Sequence, residues 1–96
     1  MLFKKDERGD FTLIDFELEG SLTPQELRGV VSSAPKVNAQ KGVILSGRGP
    51  VWLFCALVHH YHPTAWVATF DPRLGGVVIE SHISTVKVGD VVKSVP

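Results

Sequence analysis

Only one cysteine, Cys55, occurs in the 96 residues, so no internal disulfide framework holds this chain together. It lies inside an apolar stretch, where a thiol is expected to pack as a small hydrophobe rather than act as a nucleophile, and it fits a reducing compartment. Net charge is lacking too, because ten basic side chains balance ten acidic ones. A general nucleic-acid binder carries a basic excess, so duplex DNA is not an expected partner. Any RNA ligand should be small and held by local positive groups. The longest apolar run, Val51 to Val58, falls well short of a bilayer span. Near the start, Lys4, Lys5, Asp6, Glu7 and Arg8 follow Met1 and only two further apolar residues, unlike a secretory leader. A cytoplasmic protein with no membrane partner is expected. Repeats, low-complexity tracts and linkers are absent, which predicts one domain over residues 1–96.

What is present centres on residues 42–74. Val43, Ile44 and Leu45 read as a short strand buried on both faces. Ser46-Gly47-Arg48-Gly49-Pro50 then turns the chain, with Pro50 suited to the first position of a helix. Val51 to Val58 continues as a helix too apolar to stand in water, ending in His59, His60, Tyr61 and His62 before Pro63. Ala65 to Phe70 forms the next strand and Asp71-Pro72-Arg73-Leu74 leaves it in a turn. Strand, helix and strand in this order predict a βαβ unit with parallel strands.

Around that unit the pattern is antiparallel. Met1 to Lys5 is expected as an edge strand, with residues 6–10 as a polar turn into a half-exposed strand from Phe11 to Glu19. A Thr23-x-x-Glu26 capping box opens a helix running to about Val31. Leu74-Gly75-Gly76 reads as a hairpin turn into a strand over Val77 to Ile83, with Val78, Glu80 and His82 on one face, and a last short strand lies within 86–92. The expected fold is therefore α/β: a compact Rossmann-like single domain with a mixed sheet, its central parallel βαβ unit flanked by antiparallel hairpins.

Three polar groups carry possible chemistry. The turn formed by Ser46, Gly47, Arg48, Gly49 and Pro50 joins a strand's carboxyl end to a helix N-terminus, where free N–H groups and the Arg48 charge favour an anion. The bland alternative is a tight structural turn. His59 and His62 stand three apart, so on one helix face they are able to share a metal, or an imidazole there is able to move protons. Taken alone, the histidines are better accounted for as a merely polar helix end. Asp71 and Arg73 flank Pro72; they suit a metal, a ribose hydroxyl or a phosphate, or simple strand punctuation.

SGRGPVW, the HHYH helix end and FDPRLGGVVIESH, together with FTLIDFELEG near the start, resemble the small CRISPR-associated ring nucleases of type III systems. This is the Csx-three family, a divergent member of the CRISPR-associated Rossmann-fold superfamily. The resemblance implies a homodimer that binds and cleaves cyclic tetra-adenylate and so switches off type III antiviral signalling. It implies catalysis by His62 and Asp71, ligand contact by the Ser46–Pro50 turn and Arg73, and Mn2+ as cofactor. His59 and His82 also match family histidines, but no role for His82 follows from the sequence. The same resemblance implies manganese-dependent trimming of linear 3′-adenylate RNA as an alternative, with short oligoadenylate RNA as partner, and a non-catalytic sensor that binds cyclic oligoadenylate is a third reading. A βαβ unit places Arg48, Asp71 and Arg73 at one sheet edge and the histidines near the other. Dimers are therefore expected to stack around the ligand, one offering Arg48 and the next offering His62.

Overall fold

Period-two patterning builds most of this molecule, and pairing then decides which faces are buried. The structure, a computed structural model, describes residues 1–93 and 95. Strand β1 (Leu2–Arg8) pairs antiparallel with β2 (Phe11–Glu17) along its whole length, from Leu2 opposite Glu17 to Arg8 opposite Phe11. Asp6 to Arg8 thus belong to the strand and not to a turn. An edge strand tolerates such charges because one of its sides faces water. In β2, Thr12, Ile14 and Leu13 are all buried, and the expected alternation appears only beyond Ile14.

A 3₁₀ turn (Pro24–Glu26) leads into helix α1 (Leu27–Ser32), and the Glu26 carboxylate accepts the Thr23 backbone N–H at 2.9 Å. Strand β3 (Gly42–Gly47) lies parallel to β2, helix α2 (Val51–His60) follows, and β4 (Trp66–Asp71) lies parallel to β3. Strand β5 (Gly75–Ser81) returns antiparallel to β4, and β6 (Val91–Val92) closes the far edge. The strands stand in the sheet in chain order, β1 to β6.

This architecture corrects the expected Rossmann-like α/β class. Among the described residues the molecule is a six-stranded mixed sheet with only two α-helices, of six and ten residues. It is a small β-rich fold. A doubly wound sheet needs helices on both faces. Here Leu53 and Leu57 of α2, with Val30 and Val31 of α1, pack on Ile14, Phe16, Val43, Leu45 and Val67. The opposite face (Phe11, Leu13, Ile44, Trp66, Ala68 and Val78) is covered by chain from the C-terminal segment, including Val86 and Val92. The βαβ pattern was locally right, but it stands for one layer of helix and not two.

Smaller differences follow from packing. Pro50 is extended and precedes the helix, which starts at Val51. Gly75 belongs to β5, paired with Asp71, and not to a turn; a Cβ there would meet the Val92 carbonyl oxygen at 2.4 Å, and its φ is +116°. Cys55 is exposed on α2, contrary to the expected core position. Among the described residues no helix is long and apolar enough to cross a membrane.

Candidate functional site

Strand β4 has a polar group at each end. Its paired length runs from Trp66 opposite Ser81 to Asp71 opposite Gly75. Five steps of about 3.3 Å put the two ends roughly 17 Å apart.

At the carboxyl end, β3 and β4 finish together. Their last pair is Leu45 with Thr69, and each strand runs two residues further, to Gly47 and Asp71. Gly47 turns the chain with φ +151°, and a Cβ there would meet the Phe16 carbonyl oxygen at 2.4 Å. Only glycine lets the backbone pass so close to β2. Arg48 and Gly49 are exposed and open onto a cavity of about 470 Å³, whose other walls include Leu2, Lys4, Asp15 and Glu17. Ser46 and Pro50, half-buried, anchor the two ends of the turn.

Asp71 is engaged by its own turn. Its Oδ1 accepts the backbone N–H of Arg73 at 2.8 Å and that of Leu74 at 3.2 Å, and the Arg73 Nε lies 3.6 Å away. The Arg73 N–H holds the Asp71 carboxyl below its ordinary range. The Arg73 side chain is itself 87% exposed, which leaves its guanidinium open to a ligand. The structure thus brings the Ser46–Pro50 turn, Asp71 and Arg73 to one edge.

At the other edge stand His62, Glu80 and His82. Tyr61, just past α2, is buried; its hydroxyl donates to the Pro35 carbonyl at 2.6 Å, and burial pushes it up to about 12. Thr64 donates its hydroxyl to the Tyr61 carbonyl at 2.7 Å. These bonds fix the short turn from which exposed His62 projects. Its Nδ1 lies 3.0 Å from both Glu80 oxygens, and His82 Nε2 lies 3.0 Å from the His62 carbonyl oxygen. Carboxylates and carbonyls only accept, so His62 Nδ1 and His82 Nε2 carry the protons. The two imidazoles meet edge to face at 4.7 Å between centroids. In the neutral rings, His62 Nε2 and His82 Nδ1 remain as acceptors.

One ligand atom from each of His62, Glu80 and His82 lies within 4.8 Å of the others. Two imidazoles and one carboxylate are a ligand set that a divalent first-row transition metal accepts. His59 is not in this group. The helix ends at His60, so the three-residue spacing to His62 crosses a turn and does not follow one helical face. His59 borders a hollow against α1 beside Leu27, Arg28 and Val31. Sequence reasoning missed Glu80 and left His82 without a role. The expected strand face of Val78, Glu80 and His82 is broken in the structure, because β5 ends at Ser81 and a bulge puts Val78 opposite Ala68 but Glu80 opposite Val67. Nothing local tied Glu80 and His82 to a histidine eighteen and twenty residues before them.

A family model described as "CRISPR-associated protein (Cas_csx3)" matches residues 15–93. An uncharacterized protein of Aquifex aeolicus (strain VF5) is 49% identical over 87 residues, covering 88% of this chain and 78% of that one. The match includes both polar edges of β4.

Proposed function

The chain belongs to the CRISPR-associated Cas_csx3 family, and from that premise we propose that it is a ring nuclease that opens cyclic tetra-adenylate and so ends type III CRISPR signalling. The observation that carries the reading is the pairing of an open, arginine-bearing turn with a pre-oriented histidine at opposite ends of one strand. Phosphates bind at the Ser46–Pro50 turn, where Arg48 and, on the neighbouring strand end, Arg73 supply charge-assisted hydrogen bonds. Glu80 holds the His62 ring by Nδ1 and directs Nε2 outward. In that role Nε2 accepts the proton of an attacking hydroxyl as its oxygen bonds to phosphorus, then returns the proton to the oxygen whose P–O bond breaks. Asp71 stands at the ligand edge as a second catalytic group.

If a divalent cation binds, His62, Glu80 and His82 are the residues that would hold it, and His62 would then serve as its ligand in place of its role as proton acceptor. When bound, such an ion supplies Lewis-acid polarisation of the phosphodiester. Because about 17 Å of strand separates His62 from the Arg48 edge, one subunit does not close the site alone. Homodimers stack instead, the ring lying between the Arg48 face of one dimer and the histidine face of the next. A two-fold dimer suits a two-fold ring, since both copies present the same turn. The metal-capable trio also favours a second reading, manganese-dependent trimming of 3′-adenylate ends on linear RNA.

The test is to incubate the protein with cyclic tetra-adenylate, with and without Mn2+, and separate the products. Linear adenylates are expected. An intact ring alongside shortened linear RNA transfers the assignment to the exonuclease, and ring binding without any product leaves a sensor.

A further inference from the structure

The cavity beside Arg48 contains two carboxylates for which a phosphate has no use. Lys4 of β1 stands opposite Asp15 of β2, and Asp15 stands opposite Ser46 of β3, so the three form one row across the sheet. Ile14 and Phe16 pack under the helices, so Asp15 and Glu17 point to the helix-free face. Lys4, Asp15, Glu17 and Arg48 are exposed and line the same cavity. Most other acids are engaged, Asp6 with Arg8, Glu7 with Lys41, Glu19 with the N-terminus, Asp71 with Arg73 and Glu80 with His62, whereas Asp10, in the β1–β2 turn, has no such partner. Among the described residues no such partner engages the side chains of Asp15, Glu17, Lys4 or Arg48.

A carboxylate close to a phosphate repels it, so its presence in an anion site makes sense only against a ligand that also brings hydrogen-bond donors. An oligoadenylate has two kinds, the ribose 2′-hydroxyl and the adenine amine. Adjacent strands lie about 4.8 Å apart, which sets the distance from Asp15 to the phosphate turn at Ser46. The 2′-hydroxyl sits on the carbon next to the one that carries the phosphate ester, within one strand spacing. The amine lies across the full breadth of the base. We infer that Asp15 accepts a hydrogen bond from a ribose 2′-hydroxyl and makes the site selective for ribonucleotide over deoxyribonucleotide rings. Lys4, one strand further out, offsets the repulsion between that carboxylate and the ring phosphates. The inference rests on the oligoadenylate reading and assigns a part of that site which Arg48 does not cover.

Calorimetric titration of two probes, cyclic tetra-adenylate and its all-2′-deoxy counterpart, tests it. The wild-type chain should favour the ribose ring by about tenfold or more, as for a hydrogen bond to a charged group. Asp15→Ala should weaken ribose-ring binding by a similar factor and bind the deoxy ring as well as wild type or better, bringing the ratio near one. Asp15→Asn, which keeps an acceptor oxygen without the charge, should fall between. Equal wild-type affinity for both rings, or equal losses on both in Asp15→Ala, overturns the inference and leaves the oligoadenylate reading standing. If the wild type binds neither ring, the reading itself fails and the inference falls with it.

Discussion

The polar groups at the two ends of β4 are treated in opposite ways. At the carboxyl edge, Arg48, Lys4, Asp15 and Glu17 surround an open cavity with no partners among themselves, and the Arg73 guanidinium is largely in water. At the histidine edge, every member is tied to another: Glu80 to His62, His82 to the His62 carbonyl. Unpaired charge around a cavity is hydrated, ready to exchange water for ligand groups. Paired side chains hold one orientation, which is what proton transfer or metal binding requires. Under the proposed function this difference is a division of labour, in which one edge selects the ligand, the other acts on it, and a strand's length separates the two tasks.

The largest effect should come from breaking the oriented edge. His62→Ala should slow ring opening in single-turnover assays by about a hundredfold or more, with ligand affinity little changed. Retained activity would return His62 to a polar helix end. If stacked dimers share the site, mixing His62→Ala with Arg48→Ala protein restores cleavage, because each contributes its intact face. Full activity from isolated dimers, with no rescue in the mixture, would place the whole site within one dimer.

The receiving edge should fail differently. Arg48→Ala should weaken cyclic tetra-adenylate binding by about 1.5–3 kcal/mol, the range of a hydrogen bond to a charged group, while the bound ring is still cleaved. A dissociation constant equal to that of the wild type would remove Arg48 from the site. A loss in cleavage of bound ring larger than the loss in binding would erase the division of labour between the edges.

How much of this was legible depended on how local the determinant was. The apolar helix and the two parallel strands follow from neighbouring residues and appear close to where the pattern puts them, although β3 runs on through Ser46 and Gly47 and the helix stops at His60. The strand β1 was cut short because Asp6, Glu7 and Arg8 look like a turn, although an edge strand exposes them at little cost. Gly75 and Gly76 were read as a turn because their real constraint is distant, in Val92 and Ile44. The Rossmann-like class failed for the same kind of reason: a βαβ pattern fixes a crossover but does not say how many faces carry helices. The partners of His62 lie 18 and 20 residues along the chain, so helical spacing pointed to His59 when the fold supplies Glu80 and His82.

Asp71 offers the finest test of the comparison, because it stands at the open edge yet is bonded like a member of the closed one. Its Oδ1 accepts the Arg73 and Leu74 amides, and the Arg73 amide holds its carboxyl below an ordinary value near 3.8. A depressed folded-state value means the turn's stabilisation is fully present above the ordinary carboxylate range and lost as pH falls through the depressed one. Amide exchange at Arg73 and Leu74 should therefore quicken only in acid for the wild type, and already at neutral pH for Asp71→Ala. Asp71→Asn retains the Oδ1 acceptor and loses the charge, so its turn should stay closed at neutral pH. That variant separates the two roles of the residue. A closed turn with slowed ring opening makes Asp71 catalytic as well as structural, whereas a closed turn with full activity leaves it a hinge pin that aims Arg73.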